Sequence, residues 1–528
     1  MPAAYLKITG SDAVNQAFED AILESVELEQ ELNQHWWCTI EWRNTEDKRI
    51  PIEDLIGDDF QVQCYDQDGT EIDVFDGFVL DAELICEPSG SFTARVQAVT
   101  YSYCMEVTPR AAYYVNKDLK GIVDDLVSNN SWVLSDDVKV NATSASTFNY
   151  VQWGESDWKF LNRIVDDHEA WIRPSGGAFE ISNAFTDGSK LQWRTEDGLL
   201  SFKIKATINP TSLGGAHYQA TMHSKTYQDV SDNADFYDSL KTVVAKTKDA
   251  AASVPGGYIY QRSRIVALDD FENLLKKEAR RGQGKSVSAH GESRNPNLKP
   301  GDTVDIDGND DIKGTYGLTR VVHRWSPFGY TNEFSCTPWK KYTNPQAPVA
   351  RAWPGVINAR VVDNTDAWDM GAIKIQYFWQ EENQTGWARM ITPHAGADRG
   401  FLFMPEVGDE VLVSFLDGDV ERPIVLGSLW NGVDQAPRED FWGGDMKNND
   451  IKRIVTKSGH RMQFVDKKGK ESIVVATPND LKISLIECAS ETGRPMITLS
   501  SASGDILLSA PNGRIHFCSK FFSREVGV

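Results

Sequence analysis

Near its C-terminus the chain reads MITLSSASGDILLSAPNGRIHF. In steps of nine this stacks Ile497 over Ile506 and Ile515, Leu499 over Leu508 and Phe517, and Gly504 over Gly513. A short repeat with apolar residues at alternate positions and glycine at its corners builds a ladder of short strands. Ordering such a ladder costs roughly 1 to 2 kcal/mol per residue for the backbone alone. One ladder has too little interior to offset that, and its edges stay open to another chain. The tail, residues 451–528, is therefore expected not to fold as a lone set of strands.

The rest of the chain is ordinary by comparison. At 528 residues it exceeds one hydrophobic core, and a span of roughly 100 to 200 residues per domain predicts three or four units. Its many short runs of Val, Ile and aromatic residues, with 40 glycines and 16 tryptophans, predict a mainly β protein. The opening MPAAYLKITGSDAV has no basic patch followed by an apolar core, and no stretch of about 18 apolar residues occurs. Synthesis in the cytoplasm without a signal peptide is expected. Seven cysteines, from Cys38 to Cys518 and without a CxxC pair, read as reduced buried thiols.

A net charge of −23 argues against nucleic-acid binding, which needs a basic face. Residues 451–528 hold 12 Lys plus Arg against 7 Asp plus Glu, net +5, which leaves −28 on residues 1–450. That difference is either ordinary solvated surface or a sign that the tail meets something the body does not.

Period-two alternation in WWCTIEW, DDFQVQCYDQDGTEIDVFDGFVLDAELIC and SFTARVQAVTYSYCM predicts a first β-barrel region over 1–110, with a hairpin at Asp68-Gly69. Two helices should follow. One is capped by Asp118 with Leu119, Ile122 and Leu126 on a face; the other is capped by Ser156 with Trp158, Leu161 and Val165. A third, DDFENLLKKEARRGQ, carries Asp269 and Glu272 at capping-box spacing. Strands up to residue 345 close a second barrel, and the three prolines of YTNPQAPVARAWPG place a boundary near 346. Five short strands with Gly turns between Gly355 and Gly432 suit an OB-like barrel over 346–432. A polar linker, 433–450, leads to the tail, whose expected strands include HRMQF, SIVVA, LKISLI, MITLS, DILLS and RIHF.

Catalytic and ligand motifs are scarce. Gly284-Lys285-Ser286 resembles the end of a phosphate loop, but Ala279 stands where its first glycine belongs. DQDGTE at 66–71 and DIDGNDD at 305–311 have calcium-loop flavour without the final glutamate, and read as turns. No HExxH or GxSxG occurs; His168 with Glu169 reads as a helix end. Tyr377, Phe378 and Trp379 are either a carbohydrate platform or a barrel strand with alternating faces. No catalytic, cofactor-binding or metal-binding residue is assigned.

Three stretches carry a family resemblance. YVQWGESDWKFLNRIVDDHEAWI at 150–172 resembles the helix signature of VgrG-type spike proteins. GWARMITPHAGADRGFLFMPEVGDEVLVSFLDGDVERPIVLGSLWNG at 386–432 is similar to their OB-barrel signature, and IVTKSGHRMQFVDKKGKE at 454–471 to their barrel-to-needle junction. The resemblance implies a fused hub and spike: two hub β-barrels with inserted short helices, an OB-fold neck, and a three-chain β-helix, or β-prism, as needle. It implies a homotrimer that caps an inner tube, nucleates baseplate and tube assembly, and punctures the target envelope after sheath contraction.

Further expected partners are a PAAR-type tip protein at the terminal REVGV, effector cargo, and transient contact with the target membrane. The particle would be ejected or released outside the producing cell. The tail is short and no effector domain is expected after Val528, which favours an extracellular contractile injection particle, with type VI secretion next and phage tails of the same plan. Two alternatives stand beside the spike: a spike-borne cell-wall hydrolase and a trimeric host-adhesion fibre.

Overall fold

The alternation in the first hundred residues forms strands, and they belong to a sheet larger than one barrel region. The computed structural model describes residues 5–516, except 20, 45–50, 66–68, 87, 89–91, 132–133, 135–136, 143–147, 194, 196–197, 210–211, 220–223, 232–234, 239, 252–256, 261–267, 309, 311, 348–352, 354, 367–368, 381–384, 438–448 and 488–492. It divides into two units, residues 1–429 and 430–528.

In the first unit a 12-stranded sheet joins both expected hub regions. Strand Ala21–Glu31, from the first region, pairs antiparallel with Gly314–Ser326 from the second, with Arg320 opposite Glu31 and Trp325 opposite Val26. The sheet thus draws strands from both sides of residue 110. Alternate residues of these strands point inward: Ile40, Trp42, Phe60, Val62 and Val96 form one core, and Val287, Val304, Tyr316 and Leu318 another. Gly69 takes a φ of +77°, as a hairpin turn requires, while Asp68 lies outside the described residues.

The inserted helices start where their caps predict. Asp118 accepts from the Gly121 N–H at 2.8 Å and opens α2 (Leu119–Asn129). Ser156 Oγ accepts from the Lys159 N–H at 3.2 Å and opens α3 (Asp157–Asp167), with Trp158, Leu161 and Val165 buried. The helix Leu268–Gly284 begins one residue before Asp269, so the Asp269/Glu272 pair lies within its first turn rather than at its cap. Two helices, α1 (Asp12–Glu19) and α4 (Lys241–Ala251), were not anticipated. Among the described residues no helix is long and apolar enough to cross a membrane.

The lone motifs resolve into local structure. Ser286 Oγ donates to the Gln283 carbonyl at 2.5 Å, closing a turn after the helix. His168 is the C-terminal cap of α3 and bonds the Tyr150 hydroxyl at 3.3 Å; Glu169 is engaged by Arg280 at 2.9 Å. In DIDGNDD, Asp305 accepts from Thr315 at 2.5 Å and Asp307 pairs with Lys313 at 3.2 Å; residues 309 and 311 lie outside the described set, as do 66–68 of DQDGTE. Of the cysteines described as free, Cys38, Cys64 and Cys336 are buried, whereas Cys86 is exposed, against the expectation of buried thiols throughout.

Residues 357–428 form a closed barrel of Ile357–Asp363, Ala372–Tyr377, Trp387–Met390, Glu410–Phe415 and Pro423–Ser428. Closure comes from one parallel pairing, Arg389 beside Ile424. Ala359, Ile373, Ile375, Tyr377, Val411, Val413 and Val425 fill its interior. The strand ends at Tyr377, which points inward and stacks on Trp379 at 5.3 Å; Phe378 and Trp379 lie in the turn that follows, with Phe378 exposed, so IQYFWQ is a strand only as far as Tyr377.

Candidate oligomerisation face of the C-terminal sheet

The second unit holds one antiparallel sheet of five strands: Ile451–Val455, Arg461–Val465, Ser472–Ala476, Lys482–Ile486 and Met496–Ser500. They follow each other as a meander. Gly459 and Gly469 sit in two of its turns at φ of +89° and +77°, which an L side chain rarely adopts.

Register decides what each face carries, because side chains alternate across a strand and align between neighbours. One row runs Ile454, Met462, Val475, Ile483 and Leu499; the next runs Lys452, Phe464, Ile473, Leu485 and Ile497. Nine of these ten residues are apolar. Apart from Phe464, which is half-buried, those nine are 37% to 73% exposed. The opposite face holds Arg461, Gln463, Val474, Ala476 and Ser484, all buried. Arg461 pairs with Asp480 at 2.9 Å, and Lys452 with Asp466 at 2.7 Å. The apolar side of the sheet is the uncovered one.

Beyond Ser500 the repeat persists in turns alone. The Gly504 N–H donates to Ser501 Oγ at 2.8 Å, and nine residues on the Gly513 N–H donates to the Ala510 carbonyl at 3.1 Å. DILLS and the described part of RIHF, expected as strands, carry no ladder in the single chain. The physical reason is that Met496–Ser500 is the last strand of the sheet and, among the described residues, nothing pairs beyond it. Ile506, Leu508 and Ile515 are exposed accordingly. Phe517 and the terminal REVGV lie outside the described residues. Of the residues named from the repeat, only Ile497 and Leu499 join the sheet's apolar face. Its other seven members were missed, although HRMQF, SIVVA and LKISLI show the same alternation.

This surface offers no chemistry for bond making; it offers apolar area and two strand edges. Among the described residues no group of three or more His, Cys, Asp or Glu side chains is placed to hold a metal ion.

Comparison with known proteins bears on the whole arrangement. Residues 357–430 match the family model described as the type VI secretion system/phage-baseplate injector OB domain. The type VI secretion system spike protein VgrG1c of Pseudomonas aeruginosa is 30% identical over 370 residues, 62% of this chain and 49% of that protein. This chain resembles the VgrG-type spike proteins. The Escherichia coli c3393 protein, a type VI component described as structurally similar to T4 tail proteins gp27 and gp5, aligns with a TM-score of 0.52 at 13% identity, over 80% of this VgrG-like chain and all of its own. A chain of the lidded Francisella PdpA-VgrG complex aligns with a TM-score of 0.58 at 11% identity, over 94% of this chain and 80% of that one. At such identities the likeness is one of fold. The VgrG-like chain spans 15% to 49% of the length of the Pseudomonas aeruginosa relatives it matches. These relatives are type VI spike proteins, the version the sequence placed second to an extracellular particle.

Proposed function

We propose that this chain is one protomer of a trimeric spike in a contractile injection machine. Three copies pack their C-terminal sheets around a common axis, so that the two apolar rows face their symmetry mates and exposed strand edges pair between chains. The observation that carries this reading is the pair of apolar rows left uncovered by the chain that makes them. Covering nine half-exposed side chains is worth on the order of 10 kcal/mol per chain before entropy is subtracted. Segments 505–509 and 514–516 gain their ladder partners at the same step.

The hub end caps the inner tube and nucleates the tube and baseplate. Sheath contraction drives the needle through the target envelope, with effector cargo carried along and a PAAR-type protein sharpening the tip. The role is mechanical and needs no catalytic residue. A cell-wall hydrolase would need a further domain between barrel and needle, and residues 433–450 are too few for one. The protein is made in the cytoplasm and leaves it within the particle.

Truncation after Asn448 tests the reading. Full-length protein should measure as three 59.0 kDa chains by native mass spectrometry, and the truncated chain should lose delivery by assembled particles. A folded full-length monomer with an ordered tail, or normal delivery without the tail, would sink it.

A further inference from the structure

Two stretches that stood out in the sequence meet in the folded first unit, and a trimeric needle does not explain their meeting. Arg163 of α3 is 6% exposed. Its Nη2 donates to Glu155 Oε1 at 2.6 Å and to the Val151 carbonyl at 2.8 Å. From Nη1 it reaches across to the barrel and donates to Oε1 of Glu421, itself 4% exposed, at 3.2 Å. The same Glu421 oxygen accepts from the Val151 N–H at 3.3 Å.

Around this cluster Trp153 of the hub meets Trp353 edge-on at 5.4 Å and leans against Trp379 at 5.0 Å. The Tyr113 hydroxyl accepts from the Gly386 N–H of the barrel at 3.2 Å.

A guanidinium is suited to this place. Its rigid fork serves two carboxylates and a carbonyl together, and it stays charged when desolvated. An apolar side chain there would leave Glu155 and Glu421 buried without the cation they share. The two carboxylates belong to opposite sides of the junction, so parting the barrel from the hub admits water to both.

We infer that Arg163 is the pin holding the barrel in one orientation on the hub, and that its removal frees the barrel while leaving hub and barrel folded. This goes beyond the trimer reading and does not depend on it.

Hydrogen exchange on the full-length chain tests the pin. In Arg163→Met the junction amides of Val151 and Gly386 should lose about 100-fold or more of their protection, the scale of breaking a buried ion pair. Amides of the barrel strand Ile357–Asp363 and the hub strand Phe92–Val99 should keep theirs. Adding Glu155→Gln and Glu421→Gln to that variant should restore protection at least tenfold, since no buried charge then needs water. Should Arg163→Met not fold, Glu421→Gln alone should loosen the same two amides about tenfold. Loss spread over α3 and the hub sheet would mean a purely local packing role and overturn the inference, as would unchanged junction amides in the variant that folds.

Discussion

The barrel at 357–428 and the C-terminal sheet at 451–500 are each built from five short strands with the same alternation of apolar and polar residues. They differ in what happens to the apolar face. In the barrel, Trp387–Met390 returns parallel to Pro423–Ser428, the sheet closes, and Ile373, Ile375, Val411 and Val413 are fully buried. In the C-terminal meander each strand pairs with its sequence neighbours, no return pairing is made among the described residues, and Ile473, Ile483, Leu485 and Ile497 stay exposed. Alternation states that one face wants cover. The connection pattern states whether the same chain can provide it.

The largest test places one carboxylate in each interior. Ile373→Asp puts a charge inside a closed apolar barrel, beyond the roughly 4–5 kcal/mol at which substitutions become exceptional, and barrel amides should exchange freely at every protein concentration. Ile483→Asp should leave hub and barrel folded and abolish the trimer, read by native mass spectrometry. A trimer surviving Ile483→Asp would show that the apolar rows are not the interface.

A smaller effect separates the hub from both five-stranded parts. His35 lies under Trp158 at 4.2 Å and bonds Ser102 at 2.9 Å; His323 bonds the Tyr330 hydroxyl at 2.7 Å. Burial holds both rings near a pKa of about 3, below the ordinary 6.5. The unfolded chain therefore binds more protons between those values. The stability these rings contribute is complete above pH 6.5 and is lost as pH falls towards 3. From pH 7.5 to 5.5 the hub should lose about 1.4 kcal/mol for each ring. His323→Gln should halve that loss in the urea midpoint of the hub transition. An unchanged slope would mean that His323 is not held neutral.

The smallest test is a control. Gly469 in the C-terminal sheet and Gly408 in the barrel both have positive φ, +77° and +103°, with open space where a side chain would begin. Alanine at either should cost about 1 kcal/mol, from backbone strain alone, measured by exchange of the adjacent strands. Equal losses would show that closure, and not turn chemistry, separates the two sheets.

Much of this architecture was legible because local signals agreed with the global fold. The caps at Asp118 and Ser156 and the five barrel strands follow from residues a few positions apart. The nine-residue repeat predicted spacing that survives as paired turns at 501–504 and 510–513. The Asp12–Glu19 helix was missed although Ser11 Oγ accepts from the Val14 N–H at 3.2 Å, because the helix is short and a strand follows at once. The hub seam, where Ala21–Glu31 pairs with Gly314–Ser326, joins residues some three hundred positions apart and has no local signature.

From neighbours along the chain alone one could read which residues alternate, where the helices after Asp118 and Ser156 begin, and that the strands of the C-terminal tail carry an apolar face. Tertiary structure decided the rest. It closed one five-stranded sheet and left the other open, and it brought Glu421 to Arg163. Both outcomes depend on contacts between distant segments, whose energies no local pattern records.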